Sequence, residues 1–331
     1  MAEVWTLSEY GEHGLKDVSY ELLGRGRALA DSLSVKLAAV VLGHGIEMSA
    51  LDSLIAHGAD VVYVADSEHL ADFTCESYAR ILVALLEEHK PQVMIAAATT
   101  TGRTLMPYVA VQVHAGLTAD CTELAIEEGT GNLLQTRPAI GGNIMATIKS
   151  PDHRPQMATI RPHSTKKPLR DAGRVGTIIR IPASPAWKNE HVEVLGLRSL
   201  EGQSASIEEA EIVVSGGKGL KKRDNFTLIE SLAKAFGGEV GASRDAVDRG
   251  WAAYPHQVGL SGKTISPRLY VAVGISGAIQ HLAGIKTAKC IVAINQDEHA
   301  AILDLADFAL VGDLFTILPE IQKRLEARSK V

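Results

Sequence analysis

The chain is poor in cysteine, poor in aromatic residues and without a long apolar run. Its 331 residues include three cysteines, Cys75, Cys121 and Cys290, each far from the others. That spacing excludes a CxxC pair, a zinc site built on cysteine and a cysteine-ligated iron–sulfur cluster. It suits a reducing cytosol, so a cytoplasmic protein with inert thiols is expected. No apolar run reaches the ~18 residues of a membrane-spanning helix. Residues 1–5 lack the basic start and apolar stretch of a secretory signal, so no direct membrane insertion is expected. Neither sign of charge dominates: 33 Lys and Arg stand against 39 Asp and Glu, a formal net charge of −6. Nothing global therefore favours nucleic acid as a partner. No Ser-His-Asp ordering, paired catalytic carboxylates or His-Glu-x-x-His helix occurs either. A hydrolase would need one of these; a carrier needs none.

What is present is apolar residues, 46% of the chain, enough for two cores at this length. The first half alternates strand and helix. Residues 4–7, 38–42, 60–65 and 93–98 read as strands. A helical period runs through Val18, Leu22, Leu23, Leu29, Ala30 and Leu33, and a second helix is expected over 71–89. Beyond Gly116 the pattern changes to short extended segments at 133–136, 144–148 and 158–160, which predicts a mixed sheet. Residues 192–198 are expected to finish that sheet. Thr99-Thr100-Thr101-Gly102-Arg103 ends a strand and has the residues to hold a phosphate, although a structural role is favoured. The polar stretch 199–207, around Gly202, reads as a linker on which the two halves can swing. The domains are thus expected at 1–198 and 208–331.

The second half is more informative. Five short apolar strands are predicted, at 212–214, 239–241, 269–273, 290–294 and 308–311. After them come Ser215-Gly216-Gly217-Lys218-Gly219, Ala242-Ser243-Arg244, Gly274-Ile275-Ser276-Gly277, Asn295-Gln296-Asp297 and Gly312-Asp313. Short all-apolar strands between helices imply a parallel sheet covered on both faces. Ligands bind such sheets outside the carboxyl ends of the strands, where these polar turns fall. Glycines there permit close backbone approach. Ser276 reads as a helix N-cap whose free N–H groups suit a pyrophosphate, with His281 further along the same helix. Each turn alone is unremarkable; five in a row point to a dinucleotide-sized groove. Residues 319–331 read as a charged terminal helix.

Two lookalikes fall away. Gly259-Leu260-Ser261-Gly262-Lys263-Thr264 ends like a Walker A loop, but Gln257 occupies the position of its first glycine and no strand leads in. Gly24-Arg25-Gly26 lies inside a helical pattern, with Leu29 where the dinucleotide fingerprint needs glycine.

Taken in order, several segments resemble the electron-transfer flavoprotein alpha subunit. They are Ser215-Gly216-Gly217-Lys218-Gly219-Leu220, Gly241-Ala242-Ser243-Arg244-Asp245-Ala246-Val247-Asp248, Gln257-Val258-Gly259-Leu260-Ser261-Gly262-Lys263, and the run from Val273-Gly274-Ile275-Ser276-Gly277 through His281 to Gly284. Val292-Ala293-Ile294-Asn295 and Gly312-Asp313-Leu314-Phe315 complete the match. A looser likeness continues through Gly116-Leu117-Thr118-Ala119-Asp120-Cys121 and the segment from Arg137 to Pro162.

The resemblance implies an N-terminal mixed α/β scaffold and partner-interface domain, and a C-terminal doubly wound FAD-binding domain. It implies a 1:1 heterodimer with a beta subunit, one FAD, and electron transfer between dehydrogenases, such as acyl-CoA dehydrogenases, and an acceptor. Activity as an oxidoreductase would exist only within such a complex. By motif position, FAD contacts are implied for Gly217, Lys218, Ser243, Arg244, Gln257, Val258, Gly259, Leu260, Ser261, Gly262 and Lys263. The same holds for Gly274, Ser276, Gly277, Ala278, Ile279, Gln280, His281, Asn295, Asp313 and Leu314. Arg244, His281 and Ser261 would tune the flavin potential, since a permanent cation and hydrogen-bond donors stabilise a reduced, negative ring. Lys218 stands where Arg is common, a point charge instead of a fork; Leu260 stands where many relatives have Gln. Left open are an electron-bifurcating complex that uses NADH, a nucleotide-using enzyme without flavin, and a flavin-free structural subunit.

Overall fold

The computed structural model describes residues 3–11, 13–139, 144–189, 191–196, 207–208 and 210–328. The chain divides into two compact units, Met1–Arg198 and Ser199–Val331. Most of the expected linker, including Gly202, lies outside the described residues.

The first unit is built on a mainly parallel sheet. Its strands run in the order Thr177–Arg180, Val61–Asp66, Lys36–Gly43, Glu3–Gly11, Val93–Ala97, Gln156–Ile160 and Leu117–Cys121, with Gly14–Leu15 folded back on Glu3–Gly11. Alternate residues point to opposite faces: Val4, Ala39, Val41 and Ile95 enter one core, while Trp5, Ala38, Val40 and Met94 enter the other. Both faces are covered, which is why the strands are near-continuously apolar. Helix Asp17–Leu33 contains Gly24 and Gly26, as its periodicity predicts. The second helix begins later than expected, at Cys75–His89, behind a short turn at Glu68–Leu70.

Two expectations need correction here. The extended segments after Gly116 do not join one sheet: Leu133–Ala139 pairs antiparallel with both Glu123–Ile126 and Ile144–Ile148 as the middle strand of a separate three-stranded ribbon, and only Gln156–Ile160 enters the parallel sheet. Nor do residues 192–196 form a strand; 197 and 198 lie outside the described residues. The sheet instead ends on Thr177–Arg180, whose Ile178 and Ile179 pair with Val62 and Tyr63. Thr99 has the structural role favoured for it: it caps helix Thr100–Gln112, accepts from Gly102 N at 3.1 Å, and bonds buried Glu9.

The second unit is a five-stranded parallel sheet in the order Glu239–Ala242, Ile212–Gly216, Leu269–Val273, Ile291–Asn295 and Phe308–Val311. In sequence order this is 2-1-3-4-5, so the chain leaves the first strand in one direction and the third in the other. That reversal opens a crevice at the carboxyl ends of those two strands. Val214, Val271 and Val273 pack with Ile229 and Leu232 of helix Phe226–Phe236. Val213, Tyr270 and Ala272 pack on the opposite face with Val258, Ile285 and Ile302. Three of the connecting helices, Arg244–Asp248, Ile279–Ala283 and Ala301–Leu305, are a single turn or little more. The terminal helix starts earlier than its sequence suggests, at Leu314, and carries Pro319 within it. Leu314 and Leu318 enter the core of this unit.

Candidate functional site

At the crevice a groove of about 820 Å³ opens. Twelve of the residues singled out by sequence line it: Lys218, Ser243, Arg244, Val258, Gly259, Ser261, Gly274, Ser276, Ala278, Gln280, His281 and Asn295. A second hollow of about 420 Å³ adjoins it through Gly219, Gly274 and Asn295, and is lined also by Asp313 and Leu314.

The floor consists of two backbone turns in contact. Gly219 N donates to Gly274 O at 2.9 Å, and Gly217 N donates to Val273 O at 2.9 Å. A Cβ on Gly217 would stand 2.4 Å from Gly274 O, so glycine is required there by close approach. Gly274 and Gly277 have φ of +61° and +87°, in the region that favours glycine.

Those angles correct the expected helix. Ser276 is not an N-cap: the helix begins at Ile279, with Ala278 in the cap position. The chain turns through Gly277 instead, and Ser276 O accepts from Ile302 N at 3.2 Å. Among the described residues, nothing accepts from the N–H groups of Ser276, Gly277 and Ala278. Two of these donors, on Ser276 and Ala278, line the same groove as the cations Lys218 and Arg244, which suits an anionic group.

Ser243 caps the helix that carries Arg244, accepting from Ala246 N at 3.4 Å. The Arg244 side chain is 70% exposed and lies 3.4 Å from Asp248 one turn on. Asp245, Asp248 and Asp297 also line the groove. Asp245 and Asp248 stand in the motif that contains Arg244, and Asp297 in the turn after the fourth strand, but none of the three is among the residues expected to contact FAD.

Residues 257–263 form the opposite wall as a closed loop. Lys263 N donates to Gln257 O at 2.7 Å and Gly259 N to Lys263 O at 3.0 Å. Gln257 is buried, and its amide donates to the Ser261 hydroxyl at 3.1 Å. Lys263 is paired with Glu208 at 2.8 Å. Gln257, Gly262 and Lys263 therefore build the wall without lining the groove, and the same holds for Gly217 and Gly277 at the floor. Leu260 and Ile279 are exposed apolar residues outside the groove lining.

His281 departs from its expected use. Its ring is buried, with Nδ1 3.0 Å from Val258 O and Nε2 2.8 Å from the Tyr270 hydroxyl. Both ring nitrogens thus have protein partners. Burial lowers its pKa from the ordinary 6.5 to about 4. Asn295 is likewise engaged, donating to Ile275 O at 2.8 Å while its carbonyl accepts from Asp297 N at 3.0 Å. Asp313 accepts from Phe315 N at 3.2 Å at the start of the terminal helix.

No group of His, Cys, Asp and Glu able to hold a metal occurs among the described residues. None of the described helices is long and apolar enough to cross a membrane.

Comparison with known proteins agrees with this geometry. Residues 4–186 match the electron transfer flavoprotein domain, and residues 206–286 match the electron transfer flavoprotein FAD-binding domain. The electron transfer flavoprotein subunit alpha of Thermoanaerobacterium thermosaccharolyticum is 46% identical over 98% of this chain and 98% of its own length. The Protein FixB of Clostridium saccharobutylicum is 44% identical over 96% of this chain and 94% of its own. The subunit alpha of Megasphaera elsdenii is 42% identical over 99% and 97%. The residues present fit FAD: the groove adjoins a second hollow, its floor is bare backbone, and residues with free N–H groups line it together with the cations Lys218 and Arg244. With full-length relatives on one side and a matching groove on the other, the chain belongs to the electron transfer flavoprotein alpha-subunit family, and its second unit is that family's FAD-binding domain.

Proposed function

We propose that this chain, with a beta subunit, holds one FAD in the switch-point groove and carries electrons from dehydrogenases, of the acyl-CoA dehydrogenase kind, to a separate acceptor. Membership of the alpha-subunit family implies the beta subunit partner. The observation that carries the reading is the floor of the groove, where Gly219 and Gly274 bring two turns into contact and the free N–H groups of Ser276 and Ala278 belong to lining residues.

FAD supplies the chemistry of electron uptake and release when bound. The chain's own residues do the rest. The free N–H groups of Ser276 and Ala278, with Lys218, hold the anionic middle of the cofactor. Ser243, Asn295 and Asp313 extend the polar track on either side. Arg244 contributes a permanent charge at the groove, tempered by Asp248 beside it. Ser261, held by Gln257, keeps a hydroxyl on the wall. The exposed side chains of Leu260 and Ile279, with Tyr254, give the unit apolar surface for a partner to cover. Such a carrier works in the cytoplasm.

The test is co-expression with its beta subunit, followed by a visible absorption spectrum and a flavin count. One FAD per heterodimer, reducible by an acyl-CoA dehydrogenase and its substrate, is expected; a flavin-free heterodimer would overturn the reading. The chain expressed alone is expected to be poor in FAD.

A further inference from the structure

The first unit has a crevice of its own. Lys36–Gly43 and Val61–Asp66 lie on one side of strand Glu3–Gly11, and Val93–Ala97 lies parallel to it on the other. The chain therefore reverses direction between Glu3–Gly11 and Val93–Ala97, the same relation that opens the groove of the second unit. Helix Thr100–Gln112 begins at this reversal, packed so close that a Cβ on Gly102 would collide with Ala97 O. Helix starts so placed suit anions, and Thr99-Thr100-Thr101-Gly102-Arg103 has the residues to hold a phosphate. Yet the hollow here is about 50 Å³, against about 820 Å³ in the second unit.

A side chain of the protein itself stands in it. Glu9, near the end of Glu3–Gly11, is 7% exposed. One carboxylate oxygen accepts from the Thr99 hydroxyl, which caps the helix by accepting from Gly102 N at 3.1 Å. The other accepts from Lys16 Nζ at 2.9 Å. A cap hydroxyl, a helix start and a lysine are partners that a phosphate oxygen would take. Thr101 lines the same hollow, and its N–H has no acceptor among the described residues. Ser8 lines it too, 3% exposed, with a hydroxyl that has no partner among them. The seat thus offers more donors than one carboxylate uses.

We propose that Glu9 is a built-in substitute for an anionic ligand: its carboxylate fills the seat where the first unit's sheet would otherwise take a phosphate group. Glu9 is then a specificity-determining residue that confines nucleotide binding in this chain to the second unit. The seat is argued from the first unit alone; that last consequence rests on the FAD reading.

The test uses the heterodimer. Glu9→Ser empties the seat, and hydrogen exchange over Thr100–Gln112 is expected to quicken about ten-fold. Inorganic phosphate at ~10 mM, but not chloride at the same ionic strength, should bring it back to within about two-fold of wild type. Equilibrium dialysis should count one more phosphate than in wild type, and a second change, Lys16→Ala, should abolish the gain. Exchange that ignores phosphate, with no phosphate gained, overturns the proposal. Glu9→Gln keeps the seat full without its charge. It is expected to quicken exchange about three-fold and to show no response to phosphate. Should Glu9→Ser not fold, Glu9→Gln decides: exchange equal to wild type would show that the seat has no need of an anion. A heterodimer without FAD would instead sink the reading of the second unit's groove and leave the phosphate result standing.

Discussion

Gly219 and Gly274 touch through their bare backbones: a Cβ on either would stand 2.6 to 2.8 Å from the other's Cα. The 2.9 Å bond from Gly219 N to Gly274 O closes the same contact. Neither neighbour is a flexible side chain that can swing aside, so a methyl group must displace backbone. Gly219→Ala is expected to destabilise the second unit by about 2 kcal/mol. Gly274→Ala adds the cost of holding a side chain at a φ of +61°, roughly another 1–2 kcal/mol. Urea denaturation and FAD content of the two variants check the order; Gly274→Ala proving milder would mean that the turn yields without cost.

The sheet of this unit was legible because its strands are short, wholly apolar and followed by turn residues. Buried parallel strands leave that pattern and little else does. The one-turn helices were harder to read. A helical period through Gln280, His281 and Leu282 made Ser276 look like a cap, while the glycine that prevents it, Gly277, stood in plain view. Its positive φ goes with the close approach of Ile302, 25 residues later in the chain, and no local signal carries that contact. The strand Thr177–Arg180 was missed for a related reason: only pairing with Val61–Asp66 makes those four residues a strand. The Tyr270–His281 pair lay in adjacent motifs, yet sequence gives no direction to a ring.

Arg244 and Asp248 should move the flavin potential in opposite senses. The guanidinium lies 3.4 Å from the carboxylate, and both side chains are well exposed, so the pair is screened and each partner offsets the other. Removing the cation with Arg244→Ala leaves Asp248 uncompensated and disfavours added electrons. A lowering on the order of 40 mV follows from ~1 kcal/mol at ~59 mV per 1.4 kcal/mol. Asp248→Asn frees the cation and should raise the potential by a similar amount. Redox titration of both heterodimers checks the signs. Two unchanged potentials with FAD retained would make Arg244 an ordinary surface residue.

In the first unit, Asp60 gathers three partners from separate parts of the chain. Its carboxylate accepts from Leu37 N at 2.8 Å, from Arg27 at 2.7 Å and from Arg174 at 2.6 Å. Burial would raise the carboxyl pKa, but the Leu37 N–H and the two guanidiniums outweigh it and hold the group below its ordinary value. Asp60→Asn keeps the shape and removes the charge, leaving two half-buried cations facing a neutral amide. A loss of about 2 kcal/mol is expected at neutral pH. Hydrogen exchange should quicken in Lys36–Gly43 and Thr177–Arg180 and stay as it was in the second unit. Uniform quickening in both units would contradict a local role.

His281 also predicts how the second unit responds to acid. The ring titrates ordinarily at 6.5 and at about 4 in the folded chain, because burial disfavours its charged form. Below about pH 6.5 the unfolded chain takes up a proton that the folded chain refuses until about pH 4. Through that window the unfolded state binds more protons, so stability falls as pH falls. By pH 5 the loss from this one group is about 2 kcal/mol. Carboxylates contribute to acid unfolding as well, chiefly below this window, and they are common to both proteins in a comparison with His281→Gln. The variant is less stable at pH 7.5, having lost the bond from Tyr270, but its decline between pH 7.5 and 5 should be shallower by about 2 kcal/mol. Parallel declines in urea midpoint would show that the ring is charged in the fold before pH 5, and that the hydrogen bond from Tyr270 does not hold it neutral.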